Sequence, residues 1–125
     1  MNNRQIVEAF WKAFDSQDWE GAKTLLSEDF RAVWPCSSET FDREGFIRVN
    51  ETYPGNWRTL LQRYEDSTEG GVSVVHIFQQ GEPGLYATSF YRFCEGKITR
   101  IEEYFSEEGE PPEWRKELRV NLNLQ

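Results

Sequence analysis

The segment from Val72 to Phe105, VSVVHIFQQGEPGLYATSFYRFCEGKITRIEEYF, decides the fold of this chain. Apolar and β-branched residues alternate with polar ones in three runs separated by turn-forming residues, the pattern of three consecutive strands. On the first run Val72, Val74, His76 and Phe78 share one face, and Ser73, Val75, Ile77 and Gln79 share the other. Gln80-Gly81-Glu82-Pro83-Gly84 then turns the chain. On the second run the even residues, Tyr86, Thr88, Phe90 and Arg92, end in a charge. The odd set, Leu85, Ala87, Ser89, Tyr91 and Phe93, is therefore the expected interior face.

Register passes to the third run through Cys94-Glu95-Gly96. A turn of Glu95-Gly96 alone would place Glu95 in the left-handed region, which a Cβ disfavours. The expectation is a three-residue loop with Gly96 at the left-handed bulge position and Phe93 opposite Lys97. Glu103, between Ile101 and Phe105, then faces inward with Ser89 and Tyr91, while Arg100 and Glu102 face out. If the first loop pairs Phe78 with Leu85, then His76, Ala87 and Glu103 form one row across three strands. At normal strand spacing the outer Cα atoms would stand ~10 Å apart, a gap for a bridging water or ligand.

Upstream, Ile6, Val7, Phe10, Trp11 and Phe14 recur at helical spacing and predict an amphipathic helix from about Asn3 to Asp15. A second helix capped near Asp18 would bury Trp19, Ala22, Leu25 and Leu26. Phe30 to Trp34 reads as a strand stopped by Pro35 and Cys36-Ser37-Ser38. Asp42 can cap a third helix carrying Phe46, Val49 and Tyr53, which Pro54-Gly55 ends. A strand from Trp57 to Asp66 leads into the meander, and a short helix is expected at Glu113 to Arg119. Helices followed by an antiparallel meander specify an α+β fold: N-terminal helices packed on a strongly curved antiparallel or mixed sheet that forms a cone-shaped pocket. A length of 125 residues without linkers or repeats makes residues 1–125 one domain.

Fourteen basic against 22 acidic residues give a net charge of −8, which argues against nucleic acid or anionic membrane as a partner. No apolar run approaches the ~20 residues of a membrane span. Two cysteines, Cys36 and Cys94, and no signal-like apolar core after Met1 lead to the expectation of a reduced, cytoplasmic protein. One histidine and no Cys-x-x-Cys spacing exclude a zinc motif, and no glycine-rich phosphate loop precedes a helix. Neither metal nor cofactor is expected. Aromatics make up 15% of the chain, which suits a pocketed core or a dimer interface.

The chain resembles the SnoaL-like proteins of the nuclear transport factor 2-like superfamily, which have a cystatin-like cone fold. The resemblance runs over nearly the whole chain and rests on Phe10-Trp11-Lys12-Ala13-Phe14, Asp18-Trp19-Glu20-Gly21-Ala22, Leu25-Leu26-Ser27-Glu28-Asp29-Phe30, and Gly96-Lys97-Ile98 leading to Glu102-Glu103-Tyr104-Phe105. That superfamily includes isomerases, cyclases, hydrolases, dehydratases and non-catalytic modules, so residues must decide function. Set against ketosteroid isomerases, Phe10 stands at the oxyanion-binding tyrosine, Trp34 at the proton-abstracting aspartate and Ser89 at the second donor. Phe10 and Trp34 can supply neither base nor strong oxyanion donor, so ketosteroid isomerase chemistry is not expected. Against limonene epoxide hydrolase, Glu103 stands at a catalytic acid, His76 at the second carboxylate and Val74 at the bridging arginine.

The expectation is a cofactor-free proton-transfer site, His76 as base with Glu103 as its partner or acid, acting on a small apolar molecule by a cyclase, isomerase, dehydratase or hydrolase reaction. Its walls are expected from Phe10, Phe14, Trp34, Ala87, Ser89, Tyr91, Ile101 and Phe105, with Tyr53 a further hydroxyl. The plainer alternatives are a core histidine, a Glu103 paired at an edge with Arg31 or Arg100, and a binding or dimerisation module without chemistry. The outward face, Tyr86, Thr88, Phe90 and Arg92 beside Val75, Ile77 and Tyr104, is too apolar to be wholly solvated and is expected to form a homodimer.

Overall fold

A computed structural model describes residues 1–120; the last five residues of the expected domain 1–125 lie outside the described residues. Helix α1 (Asn3–Asp15) starts at a reciprocal cap, in which the Asn2 side chain accepts from the Gln5 amide and the Gln5 side chain accepts from the Asn2 amide. Its inner stripe buries Ile6, Val7, Phe10, Trp11, Ala13 and Phe14. Each large member of that stripe contributes roughly 1.5–3 kcal/mol by leaving water. Asp18 caps the short α2 (Trp19–Thr24) through the Gly21 amide. Asp42 caps α3 (Arg43–Glu51) through the Gly45 amide. At the end of α1, Asp15 accepts from Arg58 and from the Thr59 amide, which ties the helix to the sheet edge.

The strands are β1 (Leu26–Trp34), β2 (Glu39–Asp42), β3 (Arg58–Ser67), β4 (Gly70–Phe78), β5 (Leu85–Cys94) and β6 (Lys97–Glu107). They form one six-stranded sheet in the order β2-β1-β6-β5-β4-β3. Only the β1–β6 pair is parallel, so the sheet is mixed, and it is curled but not closed. The fold is α+β, as the sequence led us to expect, with α1 against β3 and α3 against β1 and β2. The hairpin partner β2, four residues with no buried side chain, carries no alternating signal in the sequence. At the far end, Glu113–Arg115 forms a single 3-10 turn where a helix to Arg119 was expected.

Two registers differ from expectation, and they act in opposite ways. Chain reversal after β5 uses only Glu95 and Gly96, both left-handed at φ 49° and 77°, with Cys94 opposite Lys97. By itself this tighter turn would send Glu103 outward. The register shifts at Thr99, however, so that Phe93 faces Ile98 while Arg92 faces Arg100. The extra residue is a bulge that lets Ile98 and Ile101 both enter the core and returns Glu103 to the inner face.

No such compensation occurs between β4 and β5. Ile77, not Phe78, lies opposite Leu85, which pairs Val75 with Ala87 and Ser73 with Ser89. A one-residue slip exchanges the faces of a strand. Ser73 and Val75 are therefore buried, and His76 lies outside, opposite Tyr86. The expected row of His76, Ala87 and Glu103 does not form. The loop permits this register because Gly84 passes where a Cβ would stand 2.8 Å from the Ile77 carbonyl oxygen and 3.0 Å from His76 Nε2.

Candidate functional site

A cross-sheet row forms the inner face at the level of Glu103. Ser73, Ser89 and Glu103 are direct neighbours on β4, β5 and β6, and the parallel register of Ala32 with Ile101 brings Trp34 of β1 alongside Glu103. Ser89 Oγ donates to Glu103 Oε2 at 2.7 Å, and Trp34 Nε1 donates to Oε1 at 3.0 Å. Glu103 is 3% exposed. Burial pushes its carboxyl pKa above the ordinary carboxylate range, and the donors Ser89 and Trp34 only partly oppose that shift. A buried carboxyl with a raised pKa and a fixed donor on each oxygen is the kind of group that general acid–base chemistry uses.

Next to this row lies a second network. Trp11 Nε1 donates to the Tyr91 hydroxyl at 2.7 Å, and that hydroxyl is bonded to Ser73 Oγ at 2.6 Å. Complete burial drives the Tyr91 pKa well up, so the phenol stays protonated. Among the described residues every buried side-chain polar atom has a partner. Such full satisfaction makes the inner face rigid.

Glu103 opens onto a cavity of about 640 Å³ between the sheet, α1, α2 and α3. Of the walls read from the sequence, Phe14, Trp34 and Phe105 line it. Trp34 meets Phe105 edge-on at 5.3 Å and Phe41 at 4.8 Å. Phe10, Ala87, Ser89, Tyr91 and Ile101 are sealed in the layer behind, where Phe10 packs on Phe14 at 4.6 Å. Tyr53, expected as a further hydroxyl, and Leu85, expected on the interior face, line the cavity too, as do Val49 of α3 and Ile77, which was expected outside. So do Trp11, Trp19 and Trp57: a helical apolar stripe signals burial without distinguishing cavity wall from solid core. Trp57 is held by donation from Nε1 to the Pro54 carbonyl at 2.7 Å, in a loop that no periodicity reveals.

His76 is the correction. It stands on the opposite face, stacked on Phe78 at 4.9 Å and on Tyr86 at 4.7 Å, with Nε2 2.5 Å from Glu108 Oε1. It does not line the cavity. Val75 and Ile77, expected outside, face inward, and Val72 and Val74 take their place on the outer face. Among the described residues no group of three His, Cys, Asp or Glu side chains forms a metal centre, and no helix is long and apolar enough to cross a membrane.

A curled sheet with helices covering an aromatic cavity is the cone fold of the nuclear transport factor 2-like class. The SnoaL-like domain model matches residues 7–101, and the chain belongs to that family. A candidate ketosteroid isomerase from Kribbella flavida is similar at 25% identity and a TM-score of 0.83, over 98% of this chain and 91% of that one. An NTF-2 like protein of unknown function from Burkholderia xenovorans is similar at 22% identity and a TM-score of 0.82, over 97% and 95% of the two chains. IdmH of Streptomyces antibioticus, a candidate polyketide cyclase, shares the fold at 13% identity and a TM-score of 0.71, over 84% of this chain and 92% of its own. No curated protein matches the chain.

Proposed function

We propose that the protein binds a small, largely apolar molecule in this cavity and that Glu103 moves a proton on it, without cofactor. The observation that carries this reading is a buried carboxyl on the cavity wall, with each oxygen oriented by one fixed donor. Each oxygen keeps a second lone pair for a ligand. Reactions that need one proton acceptor and an apolar enclosure fit best: cyclisation, isomerisation, dehydration or hydrolysis. In solvent-deuterium exchange into enolisable cyclic ketones, Glu103→Gln should lose roughly 100-fold or more of the rate. Equal exchange by wild type and variant would remove Glu103 from the chemistry.

A second reading is a ligand-binding module without chemistry. The place of His76 favours it, because the cavity then has one buried titratable side chain where proton-transfer sites commonly use two. We also infer a homodimer through the outer sheet face. That face exposes Leu60 at 54%, Phe90 at 48%, Tyr104 at 39% and Tyr86 at 37%, more apolar surface than a solvated sheet requires. The free, exposed Cys36 and Cys94 fit the reducing conditions of a cytoplasmic location.

A further inference from the structure

We propose that the molecule this cavity selects is an organic ammonium ion, held by tryptophan faces with its positive charge drawn to Glu103 and to the glutamates of the rim. The inference rests on the reading of the cavity as a small-molecule site and assigns the charge of its ligand. Four of the chain's five tryptophans, Trp11, Trp19, Trp34 and Trp57, line one cavity. Indole faces carry negative potential and attract cations, and desolvation in an enclosure strengthens the effect. Every ionisable side chain with a formal charge on the walls has the same sign: Glu103 at depth, and Glu39, Glu51 and Glu107 at exposed positions. Among the described residues no lysine, arginine or histidine lines the cavity. Nor do the ion pairs of the described residues include any of these four glutamates. An anionic ligand would meet uncompensated repulsion there, and a neutral one would leave that field unused. About 640 Å³ is room for an ammonium group with a substantial apolar body.

Three soluble probes of one shape separate charge from size: benzylammonium, benzyl alcohol and benzoate, followed by tryptophan fluorescence of the full chain. Benzylammonium should saturate at least tenfold more tightly than benzyl alcohol, and benzoate should be weakest. The triple variant Glu39→Gln, Glu51→Gln, Glu107→Gln changes only exposed positions and should weaken benzylammonium severalfold while leaving benzyl alcohol unchanged. Glu103→Gln should weaken benzylammonium by tenfold or more. Benzyl alcohol or benzoate binding as tightly as benzylammonium would overturn the charge assignment and leave the small-molecule reading in place. No saturation by any probe would overturn both.

Discussion

Glu103 and His76 sit on one sheet, two strands apart, and their surroundings are opposite. Glu103 faces inward, is 3% exposed, and has both oxygens fixed by buried or half-buried donors. His76 faces outward among Phe78 and Tyr86 and pairs with a half-exposed glutamate. Both residues interrupt apolar runs of the sequence in the same way. What separates them is strand register: a bulge at Thr99 restores one expected face, and the loop before Leu85 reverses the other. A titratable residue in an apolar alternation thus points to a cavity only when the register of its strand is known.

The contrast can be broken by substitution. The largest effect should come from Tyr91→Phe, which leaves the buried Trp11 N–H and the Ser73 hydroxyl without their partner. A loss of about 2 kcal/mol in urea denaturation is expected, and under ~0.5 kcal/mol for the outer-face control Tyr86→Phe. Ser89→Ala comes next. It removes a donor that favours ionised Glu103, so the carboxyl pKa should rise further in 13C-detected titration, with about 1–2 kcal/mol lost at neutral pH and less in acid.

Glu103 itself gives a signed pH dependence. Its pKa is raised on folding, so its contribution to stability is fully present below the ordinary carboxylate pKa and is lost as pH rises through the folded value. Subtracting Glu103→Gln from wild type in a series of denaturation curves should reveal a term that falls across that window; a flat difference would mean that burial does not perturb the carboxyl. Phe90→Glu tests the outer face as an interface, with a monomer expected on size-exclusion chromatography and an unchanged elution volume counting against it. The smallest stability change, under ~1 kcal/mol, is expected from His76→Ala, since a partly exposed polar contact to Glu108 contributes little. A cost matching that of Ser89→Ala would erase the contrast between the faces.

Much of the architecture was legible in the chain. The α1 bounds follow from a helical stripe, and the starts of α2 and α3 follow from Asp18 and Asp42, although α2 stops at Thr24 and Leu26, expected on that helix, opens β1. Glu103 was placed inward beside Ser89 through a turn different from the one that forms, and the bulge at Thr99 supplied the missing residue. Trp34 was read as wall and is also a hydrogen-bond donor to the carboxyl, a role that needs the parallel β1–β6 register. For β4 the alternation could not choose, because Val72, Val74 and Phe78 on one face rival Val75 and Ile77 on the other.

Sequence by itself determined the three helices, the caps of α2 and α3, the three strands of the meander and the inward set of β5, because these depend on contacts a few residues apart and on an alternation with one polar face. Tertiary structure alone decided which face of β4 meets the helices, that His76 leaves the site, and that the tryptophans of α1, α2, β1 and the loop before β3 surround one cavity. Those outcomes depend on register across an irregular loop and on helix-to-sheet packing, where the competing arrangements bury similar apolar area and only the assembled core tells them apart.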